Sequence, residues 1–112
     1  MTGAAGFIGS AYVRVVLGDR GDDVVVLDKL TYAGRRENLA EVEDRIEFVE
    51  GAIEDRELVG ELVQGCDAIV NFAADSHVDR SIADQEAFAR THVIGTGVLL
   101  DAAREAGVDR YV

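Results

Sequence analysis

The stretch Gly3-Ala4-Ala5-Gly6-Phe7-Ile8-Gly9 decides the fold, because its three glycines open an apolar helix at the spacing G-x-x-G-x-x-G. Glycine permits the positive φ angles of a tight strand-to-helix turn and lets the backbone approach a phosphate closely. Asp28 follows 19 positions after Gly9, at the end of the apolar run Val24–Leu27. This layout predicts a dinucleotide-binding turn, with a pyrophosphate at the helix N-terminus and Asp28 accepting hydrogen bonds from the adenosine ribose.

The acid at position 28 favours NAD over its 2′-phosphorylated form, and the neighbouring Lys29 weakens that preference. The alternative interpretation is a glycine-rich helix cap in an ordinary α/β domain. The strand-like run before Asp28 and the distance from the glycines favour the dinucleotide turn.

Composition limits the class of protein. The chain has 112 residues, 48% of them apolar, which suits one globular domain at most. It contains no secretory signal, no lipidation signal and no apolar run of about 18 residues, so we expect a cytoplasmic protein without membrane partners. The single cysteine, Cys66, excludes an internal disulfide, and no metal site is predicted.

The net charge of −11, with 22 acidic against 11 basic residues, disfavours binding to nucleic acid or to an anionic membrane. One hypothesis for this surface is adaptation to high salt, because screening would relieve its self-repulsion. Ordinary acidic composition is the alternative. The sequence does not separate the two.

The pattern of apolar residues predicts a Rossmann-like α/β fold, a doubly wound parallel sheet. Strands and helices alternate, and the apolar strand at 24–28 is continuous, as expected where both of its faces are covered. The predicted order is a helix at 7–19, a strand at 24–28, a short helix at 37–43, a strand at 46–49, a helix from Asp55 to about Gln64, a strand at 68–73, a long helix within 84–106 and a strand beginning at Tyr111.

The first strand of that sheet and its C-terminal part are expected to be missing, so residues 1–112 would be a partial NAD-binding Rossmann domain. Only Met1 and Thr2 precede the glycine turn. One hypothesis is that Met1 is a misassigned start at a valine codon. Because the first strand is central in the expected order, we expect a gap in the sheet between its two neighbours.

Four stretches resemble the nucleotide-sugar branch of the extended short-chain dehydrogenase/reductase family, the NAD-dependent epimerases and dehydratases. They are Thr2–Ser10, Asp28–Gly34, Phe72–Ile82 and Thr91–Thr96. The last three are far more specific than a glycine motif, and the resemblance spans essentially all 112 residues. Within the family the chain is most similar to the 4,6-dehydratases.

The resemblance implies a set of residues around NAD, in addition to the turn formed by Gly3, Gly6 and Gly9. These are Phe7 and Ile8 at the pyrophosphate; Asp28, Lys29, Leu30 and Thr31 around the adenosine ribose; Ala52 and Ile53 beside the adenine; Phe72, Ala73, Ala74, Asp75 and Ser76 toward the nicotinamide ribose; and Thr91 closing that side. Ala52 and His92 depart from the family, which has Asp and Asn there. Ala52 cannot bond the adenine amino group, and His92 is expected to be structural.

On the substrate side, the resemblance implies that Ser76, His77 and Arg80 contact a nucleotide sugar, with dTDP-glucose as the favoured one. Each has a structural alternative. Ser76 could cap a turn, His77 could hold a loop, and Arg80 could form a surface ion pair with Asp79 or Asp84.

The reaction implied is a lyase reaction, from dTDP-glucose to dTDP-4-keto-6-deoxyglucose, by transient hydride transfer to bound NAD. The family uses a Tyr-x-x-x-Lys pair for it. Lys29 is the only lysine here, and Val25 stands four residues before it, so no residue is assigned as catalytic and we expect the chain alone to be inactive.

Three functions stay open at this point. The chain is the cofactor part of a 4,6-dehydratase, part of a related nucleotide-sugar epimerase or dehydratase, or a non-catalytic NAD-binding module. A module predicts NAD binding by this chain alone, whereas part of an enzyme predicts poor binding. Full-length family members are expected to be homodimers.

Overall fold

A computed structural model describes residues 1–19, 21–75 and 84–112, apart from the side chain of Asp19. Its elements are α1 (Phe7–Asp19), β1 (Val24–Asp28), a 3₁₀ helix (Arg36–Arg45), β2 (Ile46–Glu50), α2 (Arg56–Leu62), β3 (Ala68–Ile69), α3 (Gln85–Ala89), a π-helical segment (Arg90–Gly95), α4 (Thr96–Ala106) and β4 (Arg110–Tyr111). They form two compact units. Unit 1 comprises Met1–Ala52 and Val70–Phe72, and unit 2 comprises Ile53–Ile69 and Ala73–Val112.

The sheet of unit 1 is parallel, as predicted. Strand β1 pairs with β2 in a register that runs from Val24 opposite Ile46 to Asp28 opposite Glu50. On the other side of β1, Thr2 forms parallel bridges to both Leu27 and Asn71. The α/β class with parallel strands is therefore confirmed.

The expected gap in the sheet is closed at one end by Met1 and Thr2. The Leu27 N–H donates to Met1 O (2.9 Å), the Thr2 N–H donates to Val70 O (3.0 Å), and the Phe72 N–H donates to Thr2 O (2.9 Å). These two residues therefore hold both neighbouring segments at the end of the sheet that leads into the glycine turn.

The core of unit 1 lies beneath α1 and the 3₁₀ helix. Its buried members are Ala4, Ala5, Val13, Leu17, Val24, Val26, Leu39 and Val42. Arg45 donates from Nη2 to Leu17 O (2.6 Å), which satisfies a carbonyl in the last turn of α1.

Phe7 and Ile8, at the start of α1, lie outside its buried face. Phe7 is 88% exposed and Ile8 is 68% exposed. Ser10, Val13 and Leu17 occupy the buried face instead, because residues spaced three and four apart lie on one side of a helix. The two large apolar side chains at the start of α1 are thus left outside the core.

In unit 2, helix α2 begins as predicted at the N-cap Asp55, whose carboxylate accepts the Leu58 N–H at 3.1 Å. Strands β3 and β4 pair in parallel, with Ala68 opposite Arg110. The most buried side chain of α2 is Val59, whereas Leu58 and Leu62 are half-buried.

The predicted long helix is three consecutive segments, α3, the π-helical segment and α4. Val98, Leu99 and Ala102 are buried, whereas Val93 is 69% exposed. Val93 lies five residues before Val98, outside the three- and four-residue spacing of the buried face. No helix among the described residues is long and apolar enough to cross a membrane.

Acidic side chains of unit 1 lie at the surface, with one exception. Asp28 is the only acidic residue among those the structure describes that is buried. Within the five residues of strand β2, for example, both Glu47 and Glu50 are exposed. The net charge of −11 is therefore carried mainly by solvated carboxylates, whose mutual repulsion disfavours the compact state.

If this surface is adapted to salt, the folded fraction of the chain should rise between low salt and molar KCl, because salt screens repulsion between exposed charges. Circular dichroism at a series of KCl concentrations measures it. A variant with Glu47→Gln and Glu50→Gln should reach the same folded fraction at less salt. A folded fraction that does not rise is the result expected of ordinary acidic composition.

Candidate functional site

The glycine turn connects Thr2, which pairs with Leu27 and Asn71, to helix α1. Gly3 has a φ of 63°, in the left-handed region that favours glycine, and its N–H donates to Leu27 O at 2.9 Å. The Gly6 N–H donates to Gly3 O at 3.2 Å. These bonds hold the glycine turn against the end of β1, and α1 begins directly after the turn.

Gly9 lets the first turn of α1 lie against the backbone of the glycine turn. A Cβ at Gly9 would lie 2.6 Å from Gly3 O and 2.7 Å from Ala4 Cα. Both contacts are with backbone atoms, which cannot move aside as a flexible side chain can. This position therefore requires glycine, which is the packing role expected of the third glycine of a dinucleotide turn.

Helix α1 begins at Phe7, directly after the glycine turn. The first turn of α1 contains no acidic residue. The first N–H groups of a helix have no partner within the helix, and the helix dipole adds partial positive charge there. With the exposed Phe7 and Ile8 at this end, the turn can accept an anionic group such as a phosphate.

Asp28 is bonded to the turn through its carboxylate. Its Oδ2 accepts the Ala5 N–H at 2.8 Å, and its Oδ1 accepts the Leu30 N–H at 2.9 Å. A carboxylate has about four acceptor positions, so both oxygens retain capacity for a ligand hydroxyl. Asp28 thus links the end of β1, the glycine turn and the loop that follows β1.

The loop after β1 closes tightly over Asp28. Leu30 has a φ of 51°, uncommon for a residue with a side chain. A Cβ at Gly34 would lie 2.6 Å from Asp28 Oδ1. Lys29 and Thr31 are exposed, and Thr31 O accepts the Gly34 N–H at 3.2 Å. The carboxylate is therefore covered on this side by a residue without a side chain.

The remaining predicted residues of unit 1 are Ala52 and Phe72. The Gly51 N–H donates to Asp28 O at 3.0 Å, so Ala52 directly follows a residue bonded to the end of β1, and it is half-buried. The half-buried Phe72 lies beside Tyr12, with ring centroids 5.5 Å apart. The glycine turn, Asp28 and the loop at 29–34 are brought together in unit 1 by direct bonds.

In unit 2, Ile53 is buried against the helical segment that carries Thr91. A Cβ at Gly95 would lie 2.5 Å from Ile53 Cδ1, so the helix approaches Ile53 closely. Thr91 is half-buried. The segment containing Ala73, Ala74 and Asp75 is bonded to His92 through the backbone of Asp75.

The three predicted substrate residues, Ser76, His77 and Arg80, lie outside the described residues. Asp84, one alternative partner of Arg80, is the N-cap of α3 and accepts the Ala87 N–H at 3.0 Å. That bond gives Asp84 a structural role of its own.

Sequence reasoning missed two residues that hold the glycine turn. Asn38 donates from Nδ2 to Ala5 O at 2.8 Å, and the Arg35 N–H donates to the same oxygen at 3.1 Å. No spacing rule relates positions 35 and 38 to position 5, so only the fold could reveal the contact. The position of His92 was also not foreseen. A structural role was expected for it from the sequence, but its contact with Asp75 was not predicted.

Comparison with known proteins agrees with this geometry. Residues 1–112 match the family described as GDP-mannose 4,6 dehydratase. The low-salt glycan biosynthesis protein of Haloferax volcanii is 58% identical, over 100% of this chain and 37% of its own length. The chain thus spans about a third of the length of the relatives it matches.

Two solved structures have the same fold. DesIV, the dTDP-glucose 4,6-dehydratase of Streptomyces venezuelae crystallised with NAD bound, superposes with a TM-score of 0.93 at 52% identity, covering 98% of this chain and 36% of DesIV. The UDP-glucose 4-epimerase of Thermotoga maritima, crystallised with UDP-glucose, gives 0.90 at 33% identity, covering 98% of this chain and 35% of that enzyme. The match over the whole chain shows that this protein belongs to the GDP-mannose 4,6 dehydratase family.

Proposed function

We propose that residues 1–112 are the cofactor-binding part of a nucleotide-sugar 4,6-dehydratase that uses NAD and acts on dTDP-glucose. The observation that carries the proposal is the likeness to DesIV over nearly the whole chain. The lower identity to the epimerase structure, at a similar coverage, favours a dehydratase over an epimerase.

The residues of unit 1 fit a dinucleotide. Gly9 removes a side chain that would collide with the turn, and α1 offers its first N–H groups beyond it. Asp28 is buried, bonded to the turn and left with acceptor capacity, which suits the hydroxyls of an adenosine ribose. A 2′-phosphate at that place would meet the Asp28 carboxylate, so the same geometry favours NAD over its phosphorylated form.

We assign the following residues to the cofactor, as implied by the family resemblance: Gly3, Gly6, Phe7, Ile8, Gly9, Asp28, Lys29, Leu30, Thr31, Ala52, Ile53, Phe72, Ala73, Ala74, Asp75, Ser76 and Thr91. Ser76, His77 and Arg80 are assigned to the nucleotide sugar. We further propose a homodimeric, cytoplasmic enzyme as the setting in which this segment works.

The chemistry that NAD supplies in such an enzyme is reversible hydride acceptance at its nicotinamide. In this proposal the residues of this chain bind and orient the cofactor. The chain has no Tyr-x-x-x-Lys, since Lys29 is its only lysine. We therefore expect residues 1–112 alone to leave dTDP-glucose unchanged.

A second candidate is a non-catalytic NAD-binding module. The two differ in what the segment does inside an enzyme. A dehydratase segment should support turnover when the remaining part of an active site is supplied, whereas a module has no reason to do so.

The test is a chimera in which residues 1–112 replace the matching part of DesIV, which shares 52% of the aligned residues. We expect the chimera to convert dTDP-glucose to the 4-keto-6-deoxy product, measured by the absorbance of the keto sugar in alkali. The same chimera with Asp28→Ala is the matched control. A folded chimera that binds NAD but shows no turnover contradicts the dehydratase assignment and supports the module.

A further inference from the structure

His92 contacts the backbone of the segment that directly precedes Ser76, the first of the predicted substrate-side residues. Its Nε2 lies 3.1 Å from Asp75 N and 3.0 Å from Asp75 O, 17 residues away in sequence. The Asp75 N–H points at this nitrogen with acceptable hydrogen-bond geometry. A single imidazole nitrogen, His92 Nε2, therefore contacts both main-chain polar atoms of Asp75, the residue that directly follows Ala73 and Ala74.

The imidazole of His92 is itself held in place. Its ring lies against Phe88, with centroids 4.1 Å apart and planes tilted by 37°. His92 belongs to the π-helical segment Arg90–Gly95, and such segments interrupt an α-helix frequently at functional sites. The ring is half-buried, so the bond to Asp75 is partly shielded from water.

The direction of the bond depends on the tautomer of the ring. If the proton is on Nδ1, Nε2 has a lone pair and accepts the Asp75 N–H. If Nε2 carries the proton, it can only donate, and Asp75 O is the acceptor within reach. The Asp75 N–H points at Nε2, which is the geometry that the first arrangement requires.

We propose that His92 is a positioning residue for the cofactor site: with its proton on Nδ1, it accepts the Asp75 N–H at Nε2 and thereby fixes the backbone of Ala73–Asp75. The role of that segment beside the cofactor rests on the proposed function, whereas the bond rests on geometry alone. This role differs from that of a histidine that only packs in the core. Packing requires an aromatic ring at position 92, whereas the proposed role requires the hydrogen-bond acceptor Nε2.

The experiment is nuclear magnetic resonance on the 112-residue chain labelled with ¹⁵N. An N–H···N hydrogen bond transmits a scalar coupling, so we expect one between the Asp75 amide nitrogen and His92 Nε2, with Nε2 resonating as an unprotonated nitrogen. The chain has two histidines, and the His92→Phe spectrum retains only the signals of His77, which assigns those of His92.

Three variants separate the nitrogen from the ring. His92→Phe keeps a ring against Phe88 but has no acceptor, and it should speed hydrogen exchange of the Asp75 amide by about three- to tenfold. His92→Asn offers an amide oxygen and should restore much of the protection. Val93→Ala, at an exposed neighbour in the same segment, should leave coupling and exchange unchanged. An uncoupled Asp75 amide whose exchange is the same in His92→Phe overturns the proposal.

Titration with NAD of the DesIV chimera that carries residues 1–112, prepared without nucleotide and with or without each substitution, tests the link to the cofactor. We expect His92→Phe to raise the Kd for NAD about three- to tenfold, with Val93→Ala near the parent. An unchanged Kd together with a lost coupling overturns the positioning role while leaving the bond intact. A folded chimera that binds no NAD, while the 112-residue chain shows the coupling, contradicts the proposed function and not the bond.

Discussion

Replacing Gly9 by valine should abolish cofactor binding and destabilise the chain by about 3 kcal/mol or more. A Cβ at this position would lie 2.6 Å from Gly3 O and 2.7 Å from Ala4 Cα, and valine adds two further methyl groups. Because the obstructing atoms belong to the backbone of the turn, α1 must move away from it. Chemical denaturation of the variant measures the loss of stability.

The matched control for Gly9 is Gly18→Ala in the same helix. A Cβ at Gly18 would meet nothing within 4 Å. Alanine there should raise the stability by about 0.5–1 kcal/mol, because it has a higher helix propensity. A Gly9→Val variant as stable as Gly18→Ala would show that the turn does not pack as described.

Removing the Asp28 carboxylate should have the second large effect. Asp28→Ala leaves the N–H groups of Ala5 and Leu30 without their acceptor, which costs about 2–4 kcal/mol when both are shielded from water. Asp28→Asn should recover only part of this, since its amide has one oxygen to accept from two donors. Thermal unfolding of the three proteins gives the order parent, Asn variant, Ala variant.

A double-mutant cycle with Gly34 tests the same contact from the other side. A Cβ at Gly34 would lie 2.6 Å from Asp28 Oδ1, so Gly34→Ala should destabilise the parent and cost much less in Asp28→Ala. Asp23→Asn, an exposed acid one residue before β1, controls for the loss of a charge and should change stability little. Additive effects of Asp28→Ala and Gly34→Ala would contradict the packing of the loop on this carboxylate.

The elements that were predictable from the sequence are those set by local patterns. The apolar run at 24–28 could only be a strand covered on both faces, and the glycines before position 10 set the start of α1. Asp55 was identifiable as an N-cap because a short acidic side chain before an apolar helix satisfies free N–H groups. Asp28 was found by its distance from the glycines.

The features that escaped sequence reasoning depend on contacts distant along the chain. Asn38 reaches Ala5 O only after the 3₁₀ helix has packed on α1. The π-helical segment has no simple residue signature, so neither the exposure of Val93 nor the contact of His92 with Asp75 was predictable. The sequence predicted Asp28 as an acceptor for the adenosine ribose. The hydrogen bonds that it also accepts from the Ala5 and Leu30 N–H groups could be seen only in the structure.

The central claim, that residues 1–112 form the NAD site of a nucleotide-sugar dehydratase, is tested most directly by the nucleotide content of the DesIV chimera. Nucleotide released by denaturing the purified protein is identified and counted by chromatography. The account predicts NAD at a stoichiometry near one per chain, without its 2′-phosphorylated form, and none in the chimera carrying Gly9→Val. A folded chimera that releases no NAD, or that releases as much with Gly9→Val, would contradict it.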